Sequence, residues 1–147
     1  MTRAAIALVA VAALAGCGGG SSAPEDGLHS RDGLMIRDWL MAVDHYDFGR
    51  AASFFAPGAL IDQGRPYRLP NAAAARLFNS TLPCHADLIA LADEGAKVLA
   101  TFRLTPGPGG PCHGRVQVRY TIKHGQFTEW RQVPRRDGQP TPLGPTV

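Results

Sequence analysis

Apolar residues recur at helical spacing in the first half of the chain, and after Pro83 they alternate. In "SRDGLMIRDWLMAVDHYD", Ile36, Trp39, Leu40 and Val43 fall three and four residues apart, which makes one apolar stripe on a helix. Ser30 is placed to cap that helix, and Asp32 suits its first turn. Asp47 reads as the cap of a short second helix, "FGRAASFFA", ended by Pro57-Gly58. "ALID" is a candidate short strand. "PNAAAARLFNST" is a third helix, capped by Asn71 and rich in alanine.

After Pro83 the period becomes two. "CHADLIALA" and "AKVLATFRLT" flank "DEG", a tight-turn signal. "PGPGGP" forms a longer loop. "RVQVRYTI" then puts Val116, Val118, Tyr120 and Ile122 on one face, "KHG" turns the chain, and "QFTEWRQV" returns. Helices first and a four-stranded antiparallel meander after them predict an α+β domain, with one sheet curled over the helices. The 147 residues suffice for one domain with a real core.

The two ends lie outside this pattern. "MTRAAIALVAVAALAGCGGG" has a short basic start, an apolar run and small residues ending in Cys17, which reads as a signal peptide over 1–16. The run is too short to span a bilayer as a permanent helix. Residues 17–29 read as a flexible tether. Residues 134–147 carry four prolines without periodicity and read as a disordered tail. The folded domain is therefore expected over 30–133. "LAGC" resembles the lipobox of bacterial lipoproteins. That resemblance implies cleavage before Cys17, acylation of its sulfur, and an anchored domain outside the cytoplasm, at the cell membrane or envelope. An ordinary secretory signal is the plainer alternative. The net charge of +3 is spread along the chain without a block of one sign, which argues against a nucleic-acid partner.

Pro, Cys and His stand in a row twice, at 83–85 and 111–113. Four zinc ligands and one disulfide are the competing readings. Outside the cytoplasm thiols are normally oxidised, and with Cys17 committed to lipid, Cys84 and Cys112 have one possible pairing. Neighbours on a strand point to opposite faces, so a Cys-His pair converges poorly on a metal. A disulfide is expected, and no metal or other cofactor. Strand spacing alone would leave the two cysteines about 10 Å apart. "PGPGGP" must then fold back toward Pro83.

The order of elements resembles the nuclear-transport-factor-2-like superfamily, which includes SnoaL-like proteins and ketosteroid isomerases. The residues that carry it are "WLMAVDHYDFGRAASFFAPGALID" and the closing "YTIKHGQFTEWRQV". The resemblance spans about 100 residues. It implies a cone of three N-terminal helices packed on a curved antiparallel sheet around a pocket, and the fold alone leaves the function open. In the isomerases a Tyr on the first helix, an Asp after the first strand and an Asp on a late strand do the chemistry. Here those positions hold Trp39, Gln63 and Val118, a set that cannot carry out the enolisation.

No other catalytic signature stands out. Asp44 and His45 are adjacent on a helix and diverge by roughly 100°. His85, His113 and His124 read as surface residues. "GPGGP" precedes a strand and has no residue to serve phosphate. Two functions are consistent with this. The first is a non-catalytic, lipid-anchored domain that binds a small apolar ligand or an envelope protein. Its pocket walls would be Trp39, Val43, Phe55, Phe78, Phe102 and Tyr120. The second is an isomerase-type enzyme with Asp62 as acid or base, helped by Arg119 or Glu129. A homodimer through the sheet is a further possible partner arrangement. The lipobox yields a direct expectation: Cys17→Ser should move the protein from the membrane to the soluble fraction on cell fractionation. A wild-type protein that is already soluble would remove the anchor.

Overall fold

The computed structural model of the chain describes residues 26–134. Cys17, the signal peptide, the first part of the tether and nearly all of the tail lie outside the described residues. Ser30 caps α1 (Arg31–Asp44), its side chain accepting from Gly33 N at 3.1 Å. The face carrying Ile36, Trp39, Leu40 and Val43 is buried, as the spacing requires. Asp47 caps α2 (Phe48–Ser53), and Asn71 caps α3 (Ala72–Ser80).

The described residues hold six strands, β1 (Phe55–Asp62), β2 (Pro66–Leu69), β3 (His85–Asp93), β4 (Val98–Thr105), β5 (Arg115–Lys123) and β6 (Gln126–Val133). They form one curved, unclosed sheet in the order β2-β1-β6-β5-β4-β3. All neighbours are antiparallel except β1 and β6, which run parallel. The meander β3–β6 is present, the candidate strand "ALID" forms the end of β1, and β2 adds a strand that was not expected.

Three differences from the sequence reading have physical causes. The second helix ends at Ser53, and Phe55-Ala56-Pro57-Gly58 belong to β1 instead. The β1–β6 register shifts between Phe55 and Leu60, and that irregularity accommodates Pro57, which has no N–H to give a ladder, and Gly58 at φ +80°. Next, β2 was hidden in the polar "PYRL". It is an edge strand opened by a proline, where a missing N–H costs little. With β1 and β2 interposed, α3 follows a hairpin, so the helices are not three in a row at the N-terminus. Finally, Asp26–His29, assigned to the tether, forms a 3-10 turn whose Leu28 packs against the core.

The disulfide Cys84–Cys112 is formed, with Cα atoms 5.8 Å apart. Its cysteines are therefore not available as thiolate ligands. The loop after β4 makes the required approach. Gly109 N donates to Pro83 O at 2.8 Å. A Cβ on Gly107 would stand 2.7 Å from His85 N, and one on Gly109 would overlap the Pro83 ring, so side chains at these positions would push the loop away. The bond closes a separation of 28 residues. Replacing both cysteines by Ala should cost about 3–4 kcal/mol in the chain-entropy picture. Urea unfolding of the oxidised protein and the double variant measures this, and equal midpoints would refute it.

Candidate functional site

Between α1 and the inner face of the sheet lies a dense aromatic cluster. Trp39 meets Phe55, Tyr120 and Phe127 edge-on, with centroids 5.8–6.4 Å apart. Phe78 joins it through Phe55 and Trp130. The Trp39 indole N–H donates to Asn79 Oδ1 at 2.7 Å, and Asn79 Nδ2 donates to Ala75 O at 2.7 Å. Asn79 is the one fully buried polar residue of the described core, and these bonds account for its burial.

Beside the cluster a cavity of about 50 Å³ opens to the surface. By the room a buried water needs, that holds a fragment of about three heavy atoms. Trp39, Val43, Phe102 and Tyr120, four of the six expected wall residues, line it. The other two, Phe55 and Phe78, do not; they pack under the sheet as members of the aromatic cluster. The remaining walls include Leu40, Val116, Val118 and Trp130, with Leu82, Pro83, Cys84 and Ala86 on the side of the disulfide.

Two polar atoms among these walls stand out. The Tyr120 hydroxyl and the Trp130 indole N–H are buried without a hydrogen-bond partner. They are close enough for the indole to act on the phenol, yet their geometry falls short of a bond. Burial drives the Tyr120 pKa well above that of a free phenol, with the indole opposing it weakly, so the hydroxyl keeps its proton and can donate. The indole N–H can only donate.

The one charged residue on the lining is Asp44, at the C-terminal end of α1. Its Oδ1 lies 2.6 Å from His85 Nδ1. Tyr46 stands edge-on to the same imidazole, at 6.1 Å. His85 is thus packed against a partner 41 residues away in the chain and is not a solitary surface residue. Asp44 continues the helical row of Ile36 and Leu40 by one more step of four, the signal in the sequence that could have placed it at the cavity. His45 instead sets Nδ1 2.8 Å from Met41 O and closes the helix end.

Asp62 lies elsewhere. Its Oδ1 accepts from Gly64 N at 3.0 Å in a turn, and its Oδ2 accepts from Arg131 at 2.9 Å. It is not on the cavity lining, and neither are Arg119 and Glu129. Arg119 forms a two-pronged pair with Glu94. Glu129 accepts from Lys97, Arg131 and Thr121. The Lys97 ammonium, with the other two donors and against the opposing effect of burial, holds the Glu129 carboxyl at about 2. So acidic a group is a poor proton shuttle near neutral pH. Among the described residues no group of three or more His, Cys, Asp or Glu side chains could hold a metal ion, and no helix is long and apolar enough to cross a membrane.

No family model and no curated protein matches the sequence. Solved structures do match the fold. An NTF2-like protein of unknown function from Cytophaga hutchinsonii aligns at TM-score 0.55 and 10% identity, over 67% of this chain and 85% of that one. A candidate polyketide cyclase from Sinorhizobium meliloti aligns at 0.53 and 18%, over 68% and 94%. A candidate ketosteroid isomerase from Kribbella flavida aligns at 0.52 and 14%, over 76% and 93%. At these identities the likeness concerns the fold, which is NTF2-like.

The unpartnered hydroxyl yields a prediction about stability. A buried polar group without a partner gains nothing from its burial. Tyr120→Phe should therefore change unfolding free energy by less than about 1 kcal/mol, although the site is wholly buried. Denaturant unfolding measures the difference, and a loss several times larger would mean that the hydroxyl is bonded.

Proposed function

We propose that this NTF2-like domain binds a small, mainly apolar ligand without transforming it, and that Cys17 anchors it by lipid outside the cytoplasm. The observation that carries the binding reading is the cavity beside Trp39. It is apolar along its walls, open at one end, and contains two buried donors that the protein leaves unused. Binding pockets have this character, with apolar walls and a few polar groups that fix orientation. The small volume favours a ligand that inserts one end and leaves the remainder at the mouth. An acceptor atom at the inserted end would satisfy Tyr120 and Trp130. The disulfide agrees with a location where thiols are oxidised, and the "LAGC" sequence supplies the anchor.

The enzyme reading through Asp62 has no comparable support. Asp62 is committed to a turn and to Arg131, away from the cavity. The isomerase and cyclase names belong to structural neighbours of low identity.

The chain has two tryptophans, Trp39 and Trp130, and both line the cavity. Their two indole N–H resonances therefore report on it directly. Titration with 2-butanone should shift both, the Trp130 signal most, and Ala86→Phe, which sets a ring on the lining, should abolish the shifts while the rest of the amide spectrum stays dispersed. Asp62→Asn should leave the titration unchanged. Unmoved indole signals in the wild type would end the cavity reading, and loss of binding in Asp62→Asn would restore the alternative.

A further inference from the structure

The mouth of the cavity carries a charge that the apolar reading leaves unused. Asp44 is the one charged residue on the lining, and about two-fifths of its side chain is exposed. Among the described residues its ion-pairing partner is His85, and no Lys or Arg pairs with it. An ionised Asp44 requires the His85 Nδ1 atom to carry the proton, so a neutral His85 leaves the pair with one negative charge. Asp44 Oδ1 accepts that hydrogen bond, and among the described residues none engages Oδ2.

The surroundings reinforce this. Asp44 closes α1, where the helix dipole presents its negative end. The groups packed around His85 add no cation: Tyr46 meets its ring, Thr105 pairs with it across β4, and the loop at Gly107 contacts its backbone. His85 directly follows Cys84 of the disulfide, which fixes the strand end from which the imidazole reaches the carboxylate.

We infer that Asp44, oriented by His85, is a subsite for a cationic head group, and that the ligand is a small apolar molecule bearing a primary ammonium. The ammonium stays at the half-exposed mouth on Asp44, and the apolar body enters toward Trp39. This inference rests on the cavity reading above and specifies the ligand class for it. The arrangement separates two tasks. The carboxylate selects charge where water still reaches it, and the interior selects an apolar body, with Tyr120 and Trp130 left to meet any acceptor atom that it carries. A carboxylate ligand would meet Asp44 as a like charge and bind worst.

Three probes of equal chain length separate the possibilities: n-butylamine, n-butanol and n-butyrate. Each is titrated into the full chain at about pH 8, above the range in which imidazole ordinarily titrates. The indole signals of Trp39 and Trp130 are followed. The amine should bind roughly fivefold more tightly than the alcohol, the magnitude of a half-exposed ion pair, and the butyrate more weakly than either. Asp44→Asn should remove the preference for the amine over the alcohol. Without any substitution, raising NaCl from about 0.01 M to about 1 M should shrink the gap between amine and butyrate and spare the alcohol. Equal affinities for the three probes, a preference for butyrate, or a ranking that persists in Asp44→Asn would overturn the inference while leaving the cavity reading intact. Failure of all three, the uncharged alcohol included, would overturn the cavity reading itself.

Discussion

The hydrogen bond from the Trp39 indole to Asn79 organises this domain. It is buried, 2.7 Å long, and joins residues 40 positions apart. Burying an indole favours an acceptor for its N–H, which Trp39 has and Trp130 lacks. Asn79 provides it for Trp39, and its own amide is satisfied by the Ala75 carbonyl one helical turn back. The bond therefore ties α1 to α3 and fixes the indole plane. With the plane fixed, Phe55, Tyr120 and Phe127 can each present an edge contact from three different strands. Their rings fill most of the space under the sheet, and the room left beside them is the narrow cavity.

The two ends of that cavity have opposite characters. At the inner end two donors are buried without partners, and at the mouth a carboxylate and an imidazole share a proton-mediated contact. The outer face of the sheet holds the other conspicuous charges, tied into local networks by Lys97, Arg131 and Arg119. The sheet thus divides the polar chemistry of the molecule: structural ion pairs on one side, and unused hydrogen-bonding capacity on the other.

Much of this was legible in the sequence because period and capping are local. The stripe through Ile36, Trp39, Leu40 and Val43, the caps Ser30, Asp47 and Asn71, and the alternating run around Val118 and Tyr120 each need only a few neighbouring residues to be read. The disulfide was legible from the oxidising compartment that the N-terminal sequence leads one to expect and from the count of cysteines. What escaped depends on distant partners. β1 takes in Pro57 and Gly58 because β6 lies beside it, and no local rule would extend a strand through Pro-Gly. The polar β2 is a strand because β1 offers it an edge. Phe55 and Phe78 look like any pocket-wall aromatics until their packing shows that they close the pocket. Asp44 and His85 each have an unremarkable local context, and only the fold brings them to one place.

The parallel pairing of β1 with β6 also constrains the order of events in folding. Among the described residues β1 is the first strand and its central partner is the last, some 70 residues later. During synthesis, α1, α2 and the β1–β2 hairpin exist for a long interval without the strand that completes their sheet. Phe55 and Ile61, both buried in the finished domain, have no β6 to face until Trp130 has been made. Contacts of such long sequence separation slow folding, because loop closure must precede the contacts that reward it. The domain therefore completes its fold only once β6 is available, and a chain truncated before β6 would lack the parallel seam and two rings of the aromatic cluster, Phe127 and Trp130.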